Sequence, residues 1–167
     1  MTKAIHLPVY GTIGTLSNGT LRNEDLIPSF TAELQRLCDT DTAPLDGTGY
    51  PELINDALVI CDADLAETDE NHWDGDDADD VVNRLMDALN AYAPPYCYFG
   101  CTDGDGSDFG FWPCLDSFRE DFEGIKVSDL ADIPDDYCGY AAVVNDHGNV
   151  TLYDVTRGKY REIWSIV

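Results

Sequence analysis

A chain of 167 residues, 44% of them hydrophobic, is long enough to build one core without disulfide or metal staples. Its formal net charge of −24, from 33 acidic and nine basic residues, repels nucleic acid and anionic membranes and attracts basic partners. The opening "MTKAIHLPVYGTIG" lacks the apolar core of a signal peptide, and no apolar run reaches a membrane-spanning length, so a soluble cytoplasmic protein is expected.

Residues 4–16 alternate weakly and carry Pro8, Gly11 and Gly14, which predicts an edge strand and a turn. "SNGT" at 17–20 contains the Asn-Gly turn signal. In "NEDLIPSFTAELQRLCD" the residues Leu26, Ile27, Phe30, Leu34 and Leu37 share a helical face, and Pro28 places the helix start near Ile27 or Pro28. A loop "TDTAPLDGTG" follows. "YPELINDALVICDADLAE" predicts a second helix with Leu53, Ile54, Ala57, Leu58 and Cys61 on its apolar side. After the polar break "TDENHWDGDDADD", Val81, Val82, Leu85, Met86 and Leu89 mark a third helix that Pro94 and Pro95 stop. Asp76, Asp77, Asp79 and Asp80 fall in or before its first turn, where the helix dipole favours them.

The second half changes character. "YCYFGC" and "DFGFWP" read as aromatic strands around a glycine-rich turn, and "LDSFREDF" as a short helix. "YAAVVNDHGNVTLYDV" is a hairpin, and "YREIWSIV" a closing strand with Ile163, Ser165 and Val167 on one side. Helices early and strands late predict an α+β class: one domain over 1–167, with helices mainly of the N-terminal half packed on a largely antiparallel sheet from the C-terminal half.

"CTDGDGSDFGFWPC" offers the first candidate site. Asp103, Asp105 and Ser107 match the opening ligands of a helix-loop-helix calcium loop. Asp108 stands where that loop needs Gly and Cys114 where it needs a bidentate Glu, so the motif fails and a hairpin turn is expected. Cys38, Cys61, Cys97, Cys101, Cys114 and Cys138 lack paired zinc spacings and, in a reducing compartment, read as buried thiols. If 97–101 is a strand, Cys97 and Cys101 share a face with Cα atoms about 13 Å apart at 3.3 Å per residue, and cannot share a metal without a bend. His6, His72 and His147 are the only histidines, and no nucleophile elbow, phosphate loop or His-Glu-x-x-His is present. The aspartates at 76–80 read as solvated caps before they read as acid/base pairs. No metal, no cofactor and no enzymatic activity are expected.

"PPYCYFGCTDGDGSDFGFWP", "NDHGNVTLYDV" and the terminal "IWSIV", with "HLPVYGTI" and "LRNEDLIPSF", resemble small acidic proteins of unknown function from bacteriophages and other bacterial mobile elements. The resemblance implies no functional residue. It implies a genetic setting rich in anti-defence and host-takeover proteins, and a host cytoplasm as the place of action.

Two readings follow from the charge. In the first, the protein imitates DNA and blocks the basic groove of a nucleic-acid-binding protein: a nuclease, a restriction or CRISPR component, or a polymerase. Twenty-four phosphates span about 41 Å of duplex at about 1.7 Å per charge, and a globule of this length is roughly 40 Å across. The acidic face expected to bind is Asp62, Asp64, Glu67, Asp69, Glu70, Asp74, Asp76, Asp77, Asp79, Asp80 and Asp87, with Trp73 as an apolar anchor. From Cys61 to Met86 only Arg84 opposes ten of these acids. In the second reading the acids suit a high-salt interior, as the mere three lysines (Lys3, Lys126, Lys159) also do, and the protein has no dedicated basic partner and an unrelated role.

Overall fold

The computed structural model describes residues 8–41, 50–61, 73 and 75–166. The fold is α+β, with the long helices in the N-terminal half and antiparallel strands dominating the C-terminal half. The elements are β1 (Gly14–Ser17), α1 (Asn23–Thr40), α2 (Tyr50–Ile60), α3 (Asp76–Asn90), β2 (Cys97–Thr102), β3 (Asp105–Pro113), α4 (Leu115–Asp121), β4 (Ile125–Val127), β5 (Cys138–Val144), β6 (Val150–Thr156) and β7 (Lys159–Ile166). They form two compact units, one within Met1–Ala93 and Tyr98–Trp112, the other from Pro94–Cys97 and Pro113–Val167.

In the first unit α1 packs on α2 and α3, and these two on each other. Against them lies a three-stranded sheet in the order β1-β3-β2. The apolar stripe of α1 read from the sequence is the stripe that is buried, and Phe30 at its centre meets Phe99 and Phe109 edge-on at 5.1 and 5.5 Å. The helix starts earlier than Pro28 suggested, at Asn23. Thr20 hydrogen-bonds Asp25 at 2.7 Å, the Leu26 N–H reaches the Arg22 carbonyl, and Glu24 and Asp25 complement the dipole in the first turn. Pro28 therefore sits in the second turn, where its ring leaves the Glu24 carbonyl without a helical N–H.

The expected first strand is also shorter. Within 8–16 only Gly14–Leu16 lie in β1, with Ile13 in a single bridge to Phe111, while residues 4–7 lie outside the described residues. β1 pairs antiparallel with β3, Thr15 opposite Gly110, and an added Cβ on Gly110 would run into the Gly14 carbonyl.

The second unit is built on a sheet in the order β4-β5-β6-β7. The expected hairpin is β5–β6, with Tyr140 opposite Asp154 and a turn in which the Asn145 side chain accepts from the His147 and Asn149 N–H groups. β7 closes one edge antiparallel to β6. β4, which runs parallel to β5, has no counterpart in the sequence reading, since three residues are too few for a period. Phe118 of α4 packs edge-on against Trp164 at 5.6 Å, and the indole N–H donates to the Pro95 carbonyl at 2.8 Å.

Candidate functional site

The acidic surface is carried by α3 and its neighbour α2. Ala78, Val81, Val82, Leu85, Ala88 and Leu89 face the core, and that stripe turns Asp76, Asp77, Asp79, Asp80 and Asp87 outward. Gly75 caps the helix through its carbonyl, which accepts from the Ala78 and Asp79 N–H groups. Asn23 of α1 ties down the start of α3 by donating to Asp79 Oδ1 and to the Trp73 carbonyl, both at 2.7 Å. Trp73 itself is half-buried against the core of the unit, so only part of its indole is open to a partner. Asp62, Asp64, Glu67, Asp69, Glu70 and Asp74 lie outside the described residues, as do His6 and His72.

The structure adds residues that sequence reasoning passed over. Arg84 Nη2 binds Asp56 Oδ2 of α2 at 3.2 Å, and its Nη1 faces Asp80 Oδ2 at 3.5 Å. Around this bridge α2 and α3 leave a cleft of about 280 Å³. Buried Val81 and half-buried Ile60 give it an apolar floor, exposed Val59 also lines it, and Asp56, Asp77 and Asp80 form an acidic rim. Val59 is 52% exposed. The sequence carried this signal: at 100° per residue Val59 lies about 180° from Tyr50, opposite the buried side of α2. Leu58, expected in the core stripe, is instead 55% exposed, because Tyr50, Leu53, Ile54 and Ala57 already fill the face that α1 and α3 cover.

The turn at 103–108 is held by its own side chains. Asp105 Oδ1 accepts from the Ser107 N–H at 2.9 Å and from the Ser107 hydroxyl at 2.7 Å, which lowers the Asp105 pKa, the backbone bond contributing most. Gly104 takes a φ of 93° at the tip, a left-handed conformation that suits Gly. Among the described residues no three His, Cys, Asp or Glu side chains converge as a metal site would require.

The six cysteines carry free thiols, but none is buried as expected: Cys138 is exposed and the other five are half-buried. Burial, with Cys114 nearby, pushes the Cys97 thiol up to about 12. Burial and then the contact with Cys38, Sγ to Oη 3.7 Å, raise the Tyr92 hydroxyl well above the usual tyrosine range. Neither group is poised for nucleophilic chemistry near neutral pH.

Comparison with family models, with curated proteins and with solved structures finds no match. No helix among the described residues is long and apolar enough to cross a membrane.

Proposed function

We propose that the acidic surface of α2 and α3 occupies the basic groove of a nucleic-acid-binding protein and excludes DNA from it. The observation that carries this reading is the charge of the two helices: Glu52 and Asp56 on α2 and five aspartates on α3 stand against Arg84 alone. α3 is about 22 Å long at 1.5 Å per residue; Asp76, Asp77, Asp79 and Asp80 crowd about 6 Å at its start, and Asp87 follows about 10 Å further along. One DNA strand presents a phosphate about every 3.4 Å. The likeness is in density of negative charge rather than in spacing, with the remaining acidity of the chain adding long-range attraction. A phage or mobile-element origin, implied by the resemblance in sequence, gives such an inhibitor its targets in restriction, CRISPR or host nucleic-acid enzymes. The test is competition: duplex DNA should displace the protein from its partner, and Asp76, Asp77, Asp79 and Asp80 changed together to Asn should weaken binding without altering the fold.

A second reading, adaptation to a salt-rich cytoplasm, has its own support. Asp116, Asp129, Asp132, Asp135, Asp136 and Asp146 of the second unit are exposed too, so acids cover both units. Thermal stability separates the readings. A salt-adapted chain gains stability from about 0.1 M to molar KCl, whereas mimicry predicts binding that fades as the Debye length falls from about 10 to about 3 Å.

A further inference from the structure

We infer that the cleft between α2 and α3 docks a basic amphipathic helix of a protein partner, with a Lys or Arg on its acidic rim and an apolar side chain on its floor. The inference rests on the proposed function for the existence of a basic partner and adds the apolar half of its recognition. A surface that only imitates phosphates needs charge alone, yet Val59, 52% exposed, lines this one together with Ile60 and Val81. Three rim carboxylates against one guanidinium leave the cleft at −2. Arg84 is occupied by Asp56 and Asp80, and Asp77 makes no ion pair among the described residues, which leaves a carboxylate open to an incoming cation. At about 280 Å³ the cleft lies just below the range of small-molecule pockets, a size that suits anchoring side chains. An amphipathic helix laid in such a groove presents a cation and an apolar residue one turn apart on the same face.

The probe is a synthetic helical peptide with Lys and Arg flanking a central Leu, compared with a version carrying Ser for that Leu and a version carrying Glu for its basic residues. Amide shifts of the full chain locate the site, and fluorescence anisotropy at about 0.1 M salt gives the affinities. Binding should perturb amides of Asp56–Ile60 and Asp77–Arg84. The Ser peptide should bind about tenfold more weakly, Val59→Ser in the protein should cost a similar factor, and the Glu peptide should not bind. Equal binding of the Leu and Ser peptides, shifts centred elsewhere, or a self-associated chain that closes the cleft to the peptide would overturn the inference. Val59→Ser replaces an exposed side chain, so an unchanged circular dichroism spectrum keeps the result interpretable. The two proposals fail separately. Peptide docking here, with DNA unable to displace the protein from a basic partner, removes mimicry and keeps the cleft. Displacement by DNA, with Val59→Ser and the Ser peptide both without effect, removes the cleft and keeps mimicry.

Discussion

Arg84 of α3 and Asp56 of α2, Nη2 to Oδ2 at 3.2 Å, form an ion pair across the helix pair that carries the acidic surface. Both side chains are close to half exposed, so water screens the pair and its contribution is about 1 kcal/mol or less. Its larger effect is electrostatic, since it supplies the one positive charge of the cleft. Arg84→Met should therefore shift the urea midpoint only slightly, by no more than about 1 kcal/mol, while tightening the binding of a basic peptide. A large stability loss with weakened peptide binding would show that the arginine holds the helices together.

The core of the first unit is where stability concentrates. Phe30 is fully buried and meets Phe99 and Phe109 at ring distances of 5.1 and 5.5 Å. Phe30→Ala should cost about 3–5 kcal/mol in chemical denaturation, as truncations of buried aromatics do.

Two glycines of β3 make a paired test. An added Cβ at Gly110 meets the Gly14 carbonyl, whereas one at Gly106 meets open space. Gly110→Ala should drive β1 off β3 and speed hydrogen exchange at Thr15 and Ser17, while Gly106→Ala leaves exchange unchanged.

These contrasts show what the sequence made legible. The stripes of α1 and α3 could be read because both helices bury one face and leave the other in water, so the 3.6-residue period survives. The β5–β6 hairpin was equally plain, its turn spelled by Asn145 and Gly148. β4 was not, because its partner β5 comes later in the chain and a three-residue strand leaves no local pattern. The start of α1 was misplaced because Pro28 outweighs Thr20 and Asp25 in a local reading, although their hydrogen bond fixes the turn before the helix. Of the candidate surface, the aspartates of α3 were visible as a run. The cleft was not, since it needs Asp56 and Val59 beside Asp80 and Arg84, residues joined only when α2 meets α3.

Alkaline pH should destabilise the fold. The Cys97 thiol titrates near 12 in the native state against 9.0 as its ordinary value, and Tyr92 is shifted in the same direction. Above the ordinary value the native state holds protons that the unfolded chain has released, so stability is complete below about pH 9 and falls as pH rises toward 12. Urea midpoints followed from about pH 8 to about pH 11 should decline, and Cys97→Ala should flatten part of that decline. A midpoint that holds steady or rises across this window would contradict the assignment.

The central claim is that the protein and DNA compete for one basic groove, and the direct measurement is displacement. The protein is immobilised, a basic nucleic-acid-binding protein is captured from host lysate and identified, and duplex DNA is titrated against the purified pair at about 0.1 M salt. The account predicts that duplex releases the partner completely, and that the variant with Asn at positions 76, 77, 79 and 80 releases it at lower DNA concentration. A stable ternary complex of protein, partner and DNA, or the same release curve for the variant and the parent, would contradict it.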